Sequence, residues 1–320
     1  MKPPAEPPLR DPEVTLRRDF IAMGLDDIKI RALMRSGTIS RIRQGAYVDA
    51  VLWRNADPAM RHRLRSHAVL MRAVAPSVLS HASALVEWGA PLWRVDLDRI
   101  HVTRPSCKAG RREAGVVQHR GILGGDDVRD LGGWPVTSAT RTALDASIVL
   151  PREAAFVVLT HFLHHGLTTT GALQDRYDTS TVEPGMEKWP GSINTKKLLE
   201  LADPRCETPL ESRVYFLCWA YGLPMPIPQF EIFDSSGRLI GRVDFAWPEY
   251  GLFLEADGKV KYTTLVPEGS SASDVVIREK IREDRIREVT GWHCIRVTWA
   301  DLANSHAVAT RVREALRRAA

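Results

Sequence analysis

Cysteine is scarce in this chain: four in 320 residues, at Cys107, Cys206, Cys218 and Cys294, and no two of them form a CxxC pair. That argues against a zinc ribbon or finger built on paired thiolates. No stretch approaches the roughly 18 consecutive apolar residues that a membrane helix requires, so no membrane span or membrane partner is expected. The opening MKPPAEPPLRDPEV has prolines and charges where a secretion signal would have its apolar core. Residues 1–12 therefore read as a disordered leader, and the chain as a cytoplasmic protein with reduced thiols. Internal repeats and low-complexity tracts are also lacking. So is a large excess of either charge: 44 Lys and Arg stand against 39 Asp and Glu, a net of +5. A pI near 9.1 permits nucleic-acid binding without requiring it.

What remains is ordinary globular material, 44% hydrophobic and 26% charged. At roughly 150 residues per domain, the length suggests two or three domains. The expected class is α/β, α+β overall, in four stretches: the leader 1–12, a small helical unit with a basic hairpin at 13–60, a mixed helix and strand region at 61–200, and a legible C-terminal unit at 205–320. The Pro-, Gly-, Ser- and Thr-rich stretches from Asp178 to Asn194 and from Thr263 to Asp274 read as loops.

In the N-terminal unit, Val14–Met23 and Asp27–Arg35 carry helical apolar spacing, with Asp26 or Asp27 as N-cap and Gly37 as terminator. TISRIRQGAYV, residues 38–48, alternates as a strand, turns at Gly45 and returns. Two helices and a basic hairpin outline a winged helix, a module that sets a helix in the major groove and a wing on phosphate. Arg31 and Arg35 would share a helix face, and Arg41 and Arg43 a strand face. The plainer reading is a solvated basic surface. In the middle region His81, Arg141 and Asp145 stand out, each with a structural reading; an Arg–Asp pair at i, i+4 is most often a surface pair.

The C-terminal unit has three alternating runs, Phe230–Asp234, Leu239–Trp247 and Leu252–Asp257, separated by SSGR and PEYG, which are turn sequences. This is an antiparallel meander. Centring the second turn between Glu249 and Tyr250 sets Val243 against Ala256, Phe245 against Leu254 and Trp247 against Leu252, all apolar. The other face then holds Asp244 opposite Glu255 and Arg242 opposite Asp257. A one-residue slip would mix the two sets. Directly opposed like charges destabilise a sheet; either Arg242 neutralises them or a hard cation does, and Mg²⁺ commonly keeps one or two protein carboxylates. Glu211 lies beside the buried stripe Leu210, Val214, Leu217 and Cys218 of a preceding helix, within reach of the sheet. Lys259 and Lys261 follow Gly258. A charged helix around Arg278–Glu288, a strand HCIRVT at 293–298 and a last helix with Val308, Val312 and Leu316 complete a mixed sheet flanked by helices.

Two resemblances sharpen these readings. GLDDIKIRALMRSGTISRIRQGAYV resembles the N-terminal winged helix of AbiEi-family antitoxins, and LSHASALVEWGAP, IHVT and VTSATRTALDAS resemble the body of actinobacterial members of that group. The resemblance implies duplex DNA binding through Arg31, Arg35, Arg41 and Arg43, and a cognate toxin protein as a further partner. ESRVYFLCWAYGLPMPIPQFEIFD, GRVDFAWPEYGLFLEADGKVKY and REDRIREVTGWHCIRVTW resemble the Vsr-like domain related to the PD-(D/E)XK endonucleases. That resemblance covers nearly all of 207–302 and implies a restriction-endonuclease-like fold. Asp244, Glu255 and Asp257 would hold Mg²⁺ or Mn²⁺, with Glu211 in support; Arg296 on the last strand either contacts phosphate or makes a structural pairing. The usual E-x-K lysine position holds Asp257, and Lys261 matches the polar group that replaces it in related sequences. The expectation is a metal-dependent endonuclease; the rival is an antitoxin-like repressor with an inert nuclease fold.

Overall fold

The computed structural model describes residues 13–104, 111–113, 115–178, 186, 189, 191–258 and 272–319; of 111–113, 272–280 and 319 only the backbone is described. The expected leader and Lys261 lie outside the described residues, as does most of the loop expected from Thr263. The chain divides into two compact units, Met1–Ala155 with Leu167–Leu199, and Phe156–Gly166 with Glu200–Ala320. Helices and three sheets among the described residues make an α+β architecture. No helix among them is long and apolar enough to cross a membrane.

The first unit opens with β1 (Thr15–Leu16), α1 (Arg17–Ala22), α2 (Asp27–Arg35), β2 (Ile39–Arg43) and β3 (Ala46–Asp49), whose strands form a sheet in the order β1-β3-β2. Apolar spacing predicts the first helix from Val14. It starts at Arg17 because Thr15 and Leu16 pair with Tyr47 and Ala46, while the Leu16 N–H donates to Asp19 Oδ2 at 2.9 Å. Asp26 caps α2 by accepting the Lys29 N–H at 2.8 Å. Gly45 turns the hairpin with φ of +68°, which costs a Cβ-free residue little.

Arg41 and Arg43 do not share a face as simple alternation implies. Arg41 pairs with Tyr47 and Arg43 with Ala46, so an extra residue bulges between them and resets the alternation. Ile42 enters the core, Arg41 is exposed and Arg43 is half-buried. After α3 (Ala50–Asn55) comes α4 (Pro58–Met71). Val14, Leu16, Ile42, Ala46 and Val48 share one core with Leu64 and Ala68 of α4 and with the strands that follow. Residues 13–60 therefore lie in the same compact unit as most of residues 61–200.

Those strands are β4 (Val78–Leu79), β5 (Ile100–Arg104), β6 (Arg111–Glu113), β7 (Val116–Arg120), β8 (Val128–Leu131) and β9 (Trp134–Thr137), with α5 (His81–Glu87) between β4 and β5. They form a mixed sheet in the order β6-β7-β5-β4-β9-β8; β5 and β7 run parallel, as do β4 and β9. Four helices follow, α6 (Ala139–Val149), α7 (Arg152–His164), α8 (Thr170–Asp178) and α9 (Ile193–Leu201). The helix α9 claims Asn194, which by composition reads as loop.

The second unit is built on α10 (Pro209–Ala220), β10 (Ile227–Phe233), β11 (Leu239–Trp247), β12 (Leu252–Asp257), α11 (Ala272–Thr290), β13 (His293–Thr298) and α12 (Ser305–Ala319). Its sheet runs β10-β11-β12-β13, antiparallel except for the last pair. Phe245 pairs with Leu254 and Trp247 with Leu252, the register that the alternation predicts. Phe245, Trp247, Leu252, Leu254, Ala256, Ile295 and Val297 pack with Leu210, Val214, Leu217 and Cys218 of α10 and Val308, Val312 and Leu316 of α12. The opposite face brings Ala246, Phe253 and Cys294 against Ile286 of α11. Val243 joins this second cluster and not Phe245, because the β11–β12 ladder opens just beyond Phe245.

Candidate functional site

The opening of that ladder is the first feature of chemical interest. Past Phe245 and Leu254 the last pair is not Asp244 with Glu255. Instead the Ala256 N–H donates to Asp244 Oδ2 at 2.7 Å, so a side-chain carboxylate replaces a ladder acceptor. The expected opposition of Asp244 and Glu255 is thus relaxed into a splayed arrangement. Glu255, Asp257 and Arg296 share the face toward α11, whereas Asp244 sits at the break in alternation, between Val243 on that face and Phe245 on the other. Glu255 is abreast of Arg296 in the parallel ladder.

Electrostatic partners differ from the expected ones. The register argument sets Arg242 opposite Asp257; it pairs instead with Glu207 at 2.9 Å. Glu255 Oε1 accepts from Arg282 Nη2 of α11 at 3.0 Å. Of the two expectations for Arg296, phosphate contact and structural pairing, the second is met by an ion pair with Glu283 of the same helix. Although burial opposes it, the Glu283 carboxylate raises the Arg296 guanidinium above its usual range.

Glu211 is buried at the start of α10. Its Oε2 accepts from the Glu207 N–H at 2.9 Å and from Gln229 Nε2 at 2.8 Å, and its Oε1 from Thr208 Oγ1 at 2.8 Å. Thr208, the N-cap of α10, accepts the Glu211 N–H at 3.2 Å in return. The residue that sequence reasoning missed is Gln229. It lies between the ladder pairs Pro228–Phe245 and Phe230–Val243, abreast of Asp244, and holds φ of +53° inside a strand. A left-handed non-glycine residue is uncommon, and such strain collects at functional positions. Nothing in QFEIF betrays that backbone; the signal is visible only once Glu211 and Asp244 are placed around it.

The basic surface of the first unit is the second feature. Arg31, Arg35 and Arg41 are exposed. Exposed Ile28 and Lys29 share α2 with the first two. Arg43 sits deeper; burial, and then the charges of Arg72 and Arg65, pull its guanidinium below the usual range. The hairpin therefore adjoins further cations from α4 and its C-terminal end. Arg72 also donates to the Gln44 carbonyl and ties the hairpin turn down.

A third feature is buried polar chemistry in the same unit. Arg141 and Asp145 are i, i+4 on α6 but are 2% and 1% exposed, not a surface pair. Arg141 Nε donates to Asp145 Oδ1 at 2.9 Å, and Nη1 to the Ile122 carbonyl at 3.1 Å and to Asp127 Oδ2 at 3.3 Å. Arg176 donates to both Asp127 oxygens at 2.8 and 2.9 Å. Burial raises the Asp145 carboxyl above its usual range against the pull of Arg141. Burial works against Asp127 too, but Arg176, Arg141 and the Gly124 N–H outweigh it and hold that carboxyl low.

Beside this network stand His81, His101 and His119. Each offers one ring nitrogen, and these lie within 4.8 Å of one another, a three-ligand metal-sized group found among the described residues. Asp244, Glu255 and Asp257, all described, are not brought together in such a group; a cation there would rest on fewer protein carboxylates and on water.

No family model matches the chain. Two curated proteins of Mycobacterium tuberculosis strains, "Uncharacterized protein MT2308" and "Uncharacterized protein Rv2248", are each 24% identical over 272 residues, covering 84% of this chain and 89% of theirs. A solved structure, that of the RV2827C protein from Mycobacterium tuberculosis, aligns with 69% of this chain and 84% of its own at a TM-score of 0.36 and 15% identity.

Proposed function

We propose that this chain is a DNA-binding, Mg²⁺-dependent endonuclease, with an AbiEi-like winged helix at its N-terminus and a Vsr-like PD-(D/E)XK domain at its C-terminus. The observation that carries the reading is the opened β11–β12 ladder. It brings the Asp244 carboxylate onto the backbone N–H of Ala256, the residue after Glu255, at the step where backbone pairing stops, with Gln229 tying buried Glu211 to the strand position abreast of Asp244. Two carboxylates with a water-filled remainder are the usual protein share of a Mg²⁺ site, and Mn²⁺ accepts the same oxygen donors. The residues therefore fit a hard cation through Asp244 and Glu255, with Asp257 two residues beyond Glu255 on the same strand.

A bound ion would supply Lewis-acid stabilisation of the phosphorane and a more acidic water. The chain's own groups do the rest. Glu211 and Gln229 fix the position beside Asp244. Lys261, a short way beyond the described β12 segment, orients water or offsets phosphate charge. Arg31, Arg35 and Arg41, with Arg43 behind them, hold duplex backbone.

A second reading has specific support. Glu255 is ion-paired to Arg282, and Asp257 stands where the resembling nucleases carry lysine. Both favour an antitoxin-like repressor that binds DNA, and a cognate toxin, through an inert nuclease fold. Incubating the purified protein with plasmid, linear duplex, single-stranded DNA and RNA separates the readings. Cleavage with Mg²⁺ or Mn²⁺ and none with EDTA is expected. Duplex binding without cleavage of any substrate with either metal gives the repressor the lead.

A further inference from the structure

We propose that His81, His101 and His119 form a binding site for a divalent transition-metal ion of the zinc class, where α5 meets the β5–β7 strand pair. The site lies in the first unit and does not rest on the nuclease reading, which concerns a hard cation and carboxylates in the second.

Topology builds the group from three separate segments. In the parallel β5–β7 ladder His101 pairs with Val117, and Thr103 with His119. The two histidines are therefore diagonal neighbours on one sheet face. β4 lies antiparallel on the other side of β5, with Leu79 against Val102, and the Ser80 N–H donates to the His101 carbonyl at 3.1 Å. His81 follows at once as the first residue of α5 and leans over the same place. Its ring stacks on His119 with centroids 3.6 Å apart, and His101 Nδ1 lies 2.9 Å from His119 Nε2.

Four observations favour a cation over a plain cluster of rings. First, spacing: nitrogens bound tetrahedrally at 2.0–2.1 Å from zinc are about 3.3 Å apart, and these lie within 4.8 Å, so turning the rings closes the gap. Second, convergence: the rings come from three separate segments, α5, β5 and β7, and the His81 ring already stacks on that of His119. Third, the surroundings: His81 Nδ1 is hydrogen-bonded to Ser80 Oγ at 3.0 Å, with the buried Asp145 Oδ2 3.8 Å away. A hydrogen-bond partner on one ring nitrogen is the usual device that orients a ligating histidine and leaves its other nitrogen for the metal. Fourth, conformation: His81 holds φ of +51°, a left-handed backbone adopted by few non-glycine residues, and this directs its ring toward the other two. Imidazole ligands without thiolate suit Zn²⁺, Co²⁺ or Ni²⁺ more than Mg²⁺ or Ca²⁺. Three protein ligands leave one position for water or a substrate atom. His81 is 8% exposed and the other two are half-buried, so the group is reached from solvent on the side of His101 and His119.

The test uses the untagged full-length chain, stripped with EDTA, desalted and held in excess Mg²⁺ to occupy any carboxylate site. Zn²⁺ is titrated against a chromophoric competitor, and Co²⁺ uptake is followed by visible absorption. One tight equivalent of Zn²⁺ and a nitrogen-ligated Co²⁺ band are expected. The His101→Gln/His119→Gln double variant should lose on the order of 100-fold in affinity, comparable to the upper end of what outer-shell changes alone cost a metal site. Glu255→Gln should bind as wild type does. The proposal is overturned if wild type takes up neither ion, if the double variant binds equally, or if the loss follows Glu255→Gln or His165→Gln, the latter of which breaks the separate His161–His165 ring pair. Should circular dichroism show the double variant unfolded, the wild-type Co²⁺ spectrum decides: a nitrogen-ligated band supports the site, and no band refutes it.

Discussion

Replacing Arg141 by Met tests how much of the first unit rests on its buried charge network. Methionine keeps the length of the stem and removes the guanidinium. Asp127 retains the two Arg176 hydrogen bonds, but Asp145, 1% exposed, is left with His81 at 3.8 Å. Breaking a buried pair by removing one member costs about 3–5 kcal/mol, because a desolvated charge is stranded. A surface i, i+4 pair is worth only about 0.2–0.5 kcal/mol, so the two descriptions of this pair differ roughly tenfold. The penalty has a pH signature. Burial already raises the Asp145 carboxyl, and without Arg141 it rises further. A carboxyl whose folded pKa lies above its unfolded value destabilises increasingly as pH climbs past the unfolded pKa, so the Arg141→Met variant should recover stability as pH falls toward that value. Asp145→Asn leaves Arg141 with Asp127 and the Ile122 carbonyl and should cost less, about 1–3 kcal/mol. Urea unfolding followed by tryptophan fluorescence gives the four corners of the cycle, with the change confined to the transition of the first unit. The double variant should be non-additive by about 0.5–3 kcal/mol. An Arg141→Met variant within about 0.5 kcal/mol of wild type, the reach of a surface pair, or strict additivity would refute the reasoning.

Three further outcomes are expected. Arg31→Ala, Arg35→Ala and Arg41→Ala together should flatten the dependence of log duplex affinity on log salt by about 0.9 for each phosphate no longer neutralised; an unchanged slope in a filter-binding series counts against that surface. Asp244→Asn weakens the acceptor for the Ala256 N–H, so the metal-free variant should melt slightly below wild type. It should also lose most of the Mn²⁺ stabilisation, which for wild type reaches about 2.7 kcal/mol at a hundredfold excess over Kd; an equal Mn²⁺ shift in both proteins removes Asp244 from the site. His161 is pushed down to about 4 by burial and then by His165 and His164. Protons then favour the unfolded chain, so stability should fall as pH drops from the ordinary histidine range toward 4 and level off below it. His161→Gln should flatten that limb in urea titrations, and an unaltered pH profile would contradict the assignment.

Much of the C-terminal unit was legible because period-two alternation between two turn sequences fixes register: Phe245 with Leu254 and Trp247 with Leu252 follow from it, as do the α10 and α12 stripes. Alternation carries no information on where a ladder ends. Hence the direct opposition of Asp244 and Glu255, and of Arg242 and Asp257, failed where the Asp244 side chain intrudes on the pairing. The Arg41–Arg43 face failed for a related reason, since a one-residue bulge leaves no mark in ISRIR. Long-range partners were hidden throughout. Arg282 and Glu283 belong to a helix that reads only as charged, yet they meet Glu255 and Arg296. The histidine group escaped notice because its members are 20 and 18 residues apart, at positions 81, 101 and 119, and only a strand crossover brings them together. Arg141 and Asp145 looked like a surface pair because helical spacing reports mutual proximity and not burial.

The most direct measurement is the rate of duplex DNA cleavage in Mn²⁺ by wild type and by Glu255→Gln, prepared identically and shown by circular dichroism to be folded. Glutamine preserves the shape of Glu255 and removes the charge that would hold the cation. Wild type should cleave, EDTA should abolish the cleavage, and the Glu255→Gln variant should lack it. Cleavage by the variant at the wild-type rate would contradict the placement of the site, and absence of cleavage by wild type would contradict the nuclease itself.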